Sequence, residues 1–296
     1  MFISHLRAEK GSAAMTQISY RTDLYQFLAH LAALHELPVQ ELGKEVITHR
    51  AVREYLADMQ ERGLSRATMA RKLAAIRSFV KYLCRELVFD SNPIATVATP
   101  KQEKKLPRFL YPREVEMLLE APDNTDVLGI RDRAMLELLY ATGIRVSELV
   151  SLDLAHMDNS QSLLRVLGKG NKERVVPVGE QAVNALNRYL LASRPVLIAR
   201  NRREEKALFL NKFGSRLSGR SIRNIINKYV DEIALNQKVS PHTLRHTFAT
   251  HLLNGGADLR SVQEMLGHVK LSTTQVYTHV TNDRLKTVHN ESFPRR

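Results

Sequence analysis

The hexapeptide Pro241-His242-Thr243-Leu244-Arg245-His246 concentrates ring nitrogens and a guanidinium on one short stretch. Ser240 is suited to cap a helix there, and Pro241 to fill its first turn. His242 and Arg245 then stand three residues apart on a shared face. A histidine and an arginine near a helix N-terminus make an anion site that can also move a proton. A zinc reading would pair His242 with His246. No carboxylate stands between those two, and Arg245 would set a cation beside the metal, so no metal is expected. Taken alone, the pair would pass for ordinary packed or solvated residues. Other groups of the same chemistry accompany it. Arg145 opens a helical turn after Gly143, Lys169 sits at a Gly-Asn turn 24 residues on, His268 follows Arg245 by 23, and Tyr277 follows His268 by nine.

The wording around these residues is specific. Ala-Thr-Gly-Ile-Arg-Val-Ser-Glu-Leu fills 141–149, Gly-Lys-Gly-Asn-Lys-Glu-Arg 168–174, and Pro-His-Thr-Leu-Arg-His-Thr-Phe-Ala-Thr-His-Leu-Leu 241–253. Leu-Gly-His at 266–268 and Ser-Thr-Thr-Gln-Val-Tyr-Thr-His at 272–279 complete the series. Together they resemble the active site of the tyrosine recombinase (integrase) family, nearest in wording to the bacterial Xer chromosome-dimer recombinases. The resemblance runs over roughly 16–290.

Breaking a DNA phosphodiester requires stabilising charge on its nonbridging oxygens. Two guanidiniums do this bidentately and stay charged at any working pH. Arg145 and Arg245 are the candidates. The resemblance implies that Tyr277 attacks phosphorus and forms an O-(3'-phospho-DNA)-tyrosine intermediate. A free phenol titrates near pH 10, so its proton must leave as it attacks. His242 is the candidate base and His268 a donor to the phosphate. Lys169 resembles the family's general acid for the departing 5' oxygen. Glu148 matches an acidic position that orients the site, with a plain helix-surface acid as its alternative. Lys172, on the same turn as Lys169, is the competing lysine. Of the nine tyrosines, Tyr140, Tyr189 and Tyr229 read as packing residues, and His246 and His251 as structural ones. The covalent ester conserves the bond energy, so neither ATP nor a metal is expected, and no cofactor.

The elements that must position these groups can be read from periodicity. Leu24, Phe27, Leu28, Leu31 and Leu34 fall at helical spacing, as do Val52, Tyr55, Leu56 and Met59. Ser65 is a candidate cap for a third, longer helix carrying Met69, Leu73, Ile76, Val80 and Leu83. Residues 16–98 are therefore expected to form a small helical, SAM-like core-binding domain. Its last helix carries Arg66, Arg71, Lys72, Arg77 and Lys81 with no acid from Arg62 until Glu86. A solvated basic face competes with a phosphate-binding face for that stretch; the reading here is DNA binding. Prolines bracket an aperiodic linker at 99–107. Beyond it, Arg131–Tyr140 reads as helix, and 163–178 as a β-hairpin around Gly168–Lys172. Helices are expected at 181–192, 221–233, 242–253, 259–266 and 272–277. The fold class is mainly α with a small antiparallel sheet, a two-domain DNA clamp with the catalytic domain at 108–285.

Composition agrees with a DNA partner. The chain has 296 residues, 44% of them hydrophobic and 25% charged, which suits a folded protein. Its net charge is +13, of which residues 1–100 supply +3 and residues 101–296 supply +10. An excess of that size points to a polyanion. One cysteine, Cys84, excludes an intramolecular disulfide and reads as a small buried hydrophobe in a reducing cytosol. No apolar run approaches the roughly 18 residues that span a membrane. The expected location is cytoplasmic. Residues 1–15 are expected to be a disordered extension, with Met15 as an alternative start, and to leave no room for an arm-site domain of the phage type.

The resemblance implies four protomers on two duplexes at a short core site, built from this chain alone or with a second Xer-type recombinase. A septal DNA translocase is a further partner. It also implies a tail, here 286–296, that docks on a neighbouring protomer. Chromosome-dimer resolution during segregation is the expected function. A mobile-element integrase or resolvase would use the same chemistry. A type IB topoisomerase would relax supercoils without a second duplex, and a non-catalytic DNA-binding protein would be indifferent to Tyr277.

Overall fold

Both helix starts expected at Ser65 and Ser240 are capped in the computed structural model, which describes residues 2–8, 14–101, 108–158, 160–168, 172–201, 205–267 and 279–295. The Ser65 hydroxyl accepts the Thr68 N–H at 3.2 Å, and the Ser240 hydroxyl accepts that of Thr243 at 3.2 Å. Each satisfies an amide that the helix itself leaves without a partner. The chain divides into two units, Met1–Lys105 and Leu106–Arg296. Residues 102–107 of the expected linker lie outside the described residues.

The first unit is helical: α1 (Phe2–Ala8), α2 (Ala14–His35), α3 (His49–Glu61) and α4 (Arg66–Arg85). Its core is built from Phe27 and Leu31 of α2, Val52 and Tyr55 of α3, and Leu73, Ile76 and Val80 of α4. Those are the periodic positions, so the apolar stripe and the packed face coincide. The expectation of a disordered extension over 1–15 fails at α1. Phe2 and Leu6, four residues apart, are both buried. The Phe2 ring lies 5.3 Å from Phe79 and 5.5 Å from Tyr82, and that burial offsets the cost of ordering the helix.

The second unit surrounds a central helix. It contains α5 (Pro112–Glu120), α6 (Val127–Thr142), α7 (Val146–Ser151), strands β1 (Met157–Asp158), β2 (Leu163–Leu167) and β3 (Glu173–Pro177), then α8 (Glu180–Arg188), α9 (Arg194–Ile198), α10 (Gly219–Glu232), α11 (Pro241–Asn254), α12 (Leu259–Leu266) and α13 (His279–Ser292). Between α8 and α9 the helix widens to a π-turn at Tyr189–Ser193. The expected helix at 272–277 lies outside the described residues. Helix α6 is buried on every side, Arg131, Asp132 and Glu137 included. Arg131 pairs with Asp132 at 2.6 Å, and the Tyr229 hydroxyl donates to Asp132 at 3.0 Å, so those charges are partnered. Tyr140, Tyr189 and Tyr229 all pack in this core.

The sheet runs β1-β2-β3, antiparallel throughout. Leu164 faces Val176, and Val166 faces Arg174. Leu164, Val166, Val176 and Arg174 are all buried, so Arg174 occupies an inward position of a period-two strand. The Gly168 N–H closes the turn on the Lys172 carbonyl at 2.8 Å.

The tail expected to dock on a neighbouring protomer packs within its own chain. On α13 and just after it, Leu285, His289 and Phe293 are buried. The Phe293 ring lies 4.8 Å from Tyr140 and 5.5 Å from Phe248. Arg295 follows with a forked ion pair onto the buried carboxylate of Glu137, at 2.8 and 3.1 Å.

Candidate active site

Two glycines end helices where the candidate residues converge. Helix α6 stops at Gly143 (φ +58°) and α12 at Gly267 (φ +68°), both left-handed positions that favour glycine. A Cβ at Gly143 would also fall 2.4 Å from the Phe248 ring. The chain can therefore reverse tightly, bringing Arg145 at the start of α7 beside the end of α12.

Arg245 projects from the second turn of α11 into this junction. One Nη donates to the Gly143 carbonyl at 2.7 Å, and the other to the Leu266 carbonyl at 2.6 Å. Only 8% of the residue is exposed. Burial first, then repulsion from Arg145 and Arg174, lowers its pKa to about 10, against which Glu148 works in the opposite direction. The guanidinium is still charged at neutral pH.

Glu148 is the anionic centre, and it is 4% exposed rather than a surface acid. Its carboxylate accepts the backbone N–H of Arg145 at 2.7 Å and the Arg145 guanidinium at 2.9 Å. Arg174, also 4% exposed, forks onto the same carboxylate at 2.9 and 2.8 Å. Burial alone would raise the Glu148 pKa. The bonds from Arg174 and from the Arg145 amide outweigh it and hold the carboxyl below its ordinary value. The Arg145 side chain remains 39% exposed, free to present N–H groups outward.

Three guanidiniums thus converge: Arg145 and Arg174 bond the buried Glu148 carboxylate, while Arg174 and Arg245 between them take the Met265, Leu266 and Gly143 carbonyls at two helix ends. Arg145 and Arg245 so placed have the charge and the donors that binding an anionic tetrahedral group, and stabilising added charge upon it, would require. His242, one residue after Pro241 in the first turn of α11, is exposed on the same helix as Arg245. Lys169, His268 and Tyr277 lie outside the described residues. Lys172, the competing lysine, is exposed beside the turn. His251 is buried, its Nδ1 hydrogen-bonded to the Tyr140 hydroxyl at 2.8 Å, and so belongs to the core. The residue that sequence reading passed over is Arg174. Its signal was an arginine in register with Val176 and Val178 on an otherwise apolar strand face.

The basic helix of the first unit divides. Lys81 is exposed, and Arg66 is exposed with one bond to the Lys101 carbonyl at 3.3 Å. Arg71 is exposed while pairing with the buried Asp23. Arg77 is half-buried, tied to the Thr99 hydroxyl at 2.6 Å and to the Val97 carbonyl. The expectation that Lys72 contacts DNA is corrected: it is 5% exposed, its ammonium 3.4 Å from Asp23 and bonded to Gln26. Lys72, nine residues before Lys81, lies on the opposite side of α4 from it and points at α2, where buried Asp23 needs a partner.

Among the described residues no helix is long and apolar enough to cross a membrane. The phage integrase family matches residues 108–284, and the N-terminal SAM-like domain of phage integrases matches residues 1–87. The tyrosine recombinase XerC of Pelotomaculum thermopropionicum is 55% identical over 303 residues, covering 99% of this chain and 97% of that protein. The XerC of Natranaerobius thermophilus is 48% identical over 296 residues, covering 99% and 97%. In fold, the chain is similar to the XerH recombinase bound to its palindromic difH substrate after cleavage, with a TM-score of 0.70 at 24% identity, covering 96% of this chain and 81% of that one. The arginine cluster at the ends of α6 and α12 is thus set in a frame whose relatives over nearly the whole length are recombinases, and the chain belongs to the phage integrase family as a tyrosine recombinase of the Xer kind, an enzyme that breaks and rejoins DNA.

Proposed function

We propose that this recombinase resolves chromosome dimers at a short core site, and that Arg145, Lys169, His242, Arg245, His268 and Tyr277 are its catalytic residues. The observation that carries the site assignment is the convergence of Arg145 and Arg245 around buried Glu148, with an outward-facing Arg145 guanidinium. The two arginines hold the nonbridging oxygens of the scissile phosphate. The Tyr277 oxygen attacks phosphorus as His242 takes the phenolic proton. The P–O5' bond breaks, and Lys169 supplies the proton that the departing oxygen needs. His268 donates to the phosphate. The product is a 3'-phosphotyrosyl ester and a free 5'-hydroxyl. Attack by the 5'-hydroxyl of the partner strand reverses each step and restores Tyr277.

Exposed Arg66, Arg71 and Lys81 on α4 are the phosphate contacts of the first unit, with Arg77 half-engaged. Recombination joins two duplexes and so assembles four protomers, of this chain or with a second recombinase of the same kind. A septal translocase would act on that assembly in the cytoplasm. The tail's seat on its own unit would be exchanged there for a neighbour's. The test is a nicked suicide duplex bearing the chromosomal core site. Wild type gives an SDS-resistant protein–DNA adduct, and Tyr277→Phe gives none. Salt-sensitive binding without an adduct favours the DNA-binding alternative, and an adduct that persists in Tyr277→Phe refutes the nucleophile.

A further inference from the structure

We infer that Arg174 is a positioning residue of this site: it fixes the spacing between Arg145 and Arg245 without touching DNA. The inference rests on the reading of those two arginines as the phosphate clamp. A single buried guanidinium uses all of its edges here. Its two Nη groups fork onto Glu148 at 2.9 and 2.8 Å, and its Nε donates to the Met265 carbonyl at 2.8 Å. Each partner leads to one of the clamp arginines. Glu148 holds Arg145 through backbone and side chain. Met265 precedes Leu266, whose carbonyl receives Arg245. The start of α7 and the end of α12 are therefore joined through the Arg174 side chain, supplied by β3.

The surroundings are shaped for that side chain. A Cβ on Gly267 would stand 3.1–3.2 Å from the Arg174 Cδ, Cζ and Nε atoms, and its φ of +68° is a second reason for glycine. Val166 lies opposite Arg174 in the sheet, so the strand aims the side chain inward with no route to solvent. Lysine could not replace it, because one ammonium cannot fork onto a carboxylate and also reach the Met265 carbonyl.

The test is single-turnover cleavage of the suicide duplex from pH 5.5 to 8.5 by wild type, R174Q, R174K, E148Q and R174Q/E148Q, with DNA binding and melting temperature measured alongside. The charged groups facing Glu148 are Arg145, Arg174 and, at longer range, Arg245. Removing Arg174 takes away the largest opposition to burial and leaves Arg145 alone to hold the Glu148 carboxyl down, so the carboxyl should rise and its protonation at low pH would loosen Arg145. R174Q is expected to bind DNA as wild type does and to cleave on the order of 100-fold slower, as displaced catalytic groups do. Its rate should climb with pH, and that limb should vanish in R174Q/E148Q. R174K keeps a cation beside Glu148 and should be slow without the acid limb. The inference is overturned if R174Q or R174K cleaves within about threefold of wild type, or if the R174Q deficit is independent of pH and unchanged by E148Q, as a purely structural defect would be. If R174Q does not fold, R174K alone decides by the same rate criterion. A wild-type chain that forms no adduct would overturn the recombinase reading itself, and this inference with it; an adduct with unaffected Arg174 variants would overturn only the latter.

Discussion

Replacing Arg245 by lysine separates the two tasks of that side chain. The wild-type guanidinium bridges the Gly143 and Leu266 carbonyls at 2.7 and 2.6 Å while the residue is only 8% exposed. A lysine ammonium can reach one carbonyl and leaves the other without a donor. An orphaned buried acceptor costs about 1–3 kcal/mol. In a unit of this size each kcal/mol lowers Tm by about 2–4 °C, so R245K should melt roughly 2–12 °C lower. Loss of one preorganised donor to the phosphate should slow cleavage about 10²–10³-fold. The pH dependence supplies a sign. Burial, with Arg145 and Arg174 nearby, lowers the arginine to about 10, so wild type stays cationic through the working range. Lysine starts lower and meets the same burial, so it loses its proton as pH rises. R245K cleavage should then fall on going from neutral to mildly alkaline pH, while wild type stays level. Calorimetry and suicide-substrate cleavage measure both effects. Cleavage by R245K within about threefold of wild type, or a flat pH profile, would refute the reasoning.

Phe293→Ala should destabilise the second unit by about 3–5 kcal/mol, since its ring packs against Tyr140, Phe248 and His289 with almost no exposure. The corresponding fall in Tm is about 6–20 °C, and a shift near zero would mean the tail is not seated there. On α4, Lys81→Ala should flatten the log–log salt dependence of DNA binding by about 0.9, since one phosphate fewer is neutralised. Lys72→Met should leave that slope unchanged and instead lower stability, because it strips a partner from buried Asp23. Equal slopes for both variants would overturn the division of the basic helix.

The helix starts at Ser65 and Ser240 were legible because caps are local: each serine bonds an amide three residues on. The sequence carried the hairpin because period-two burial and a Gly-Asn turn agree. The periodicity of α6 was only partly readable, for a helix buried on all sides has no polar face to contrast with. Glu148 was open between orienting acid and surface acid, since its burial depends on β3 crossing beside α7. The inward register of Arg174 was legible, but its partners were not, for they stand 26 and 91 residues away. Helix α1 was missed because a seven-residue stretch gives little periodic pattern until Phe79 and Tyr82 are folded against Phe2. The tail's seat depends on Tyr140 and Phe248, which neither spacing nor composition places near Phe293.

The two carbonyls that receive Arg245 lie at the C-terminal ends of α6 and α12. A helix C-terminus behaves as roughly half a negative charge. Set against the three arginines are one carboxylate and two such ends, so the described groups sum to about +1. That matches a phosphodiester in its ground state. It falls short of the extra negative charge that develops as a fifth oxygen approaches phosphorus. The deficit calls for groups that can bring or move a proton, the part that the roles proposed for His242 and Lys169 would fill.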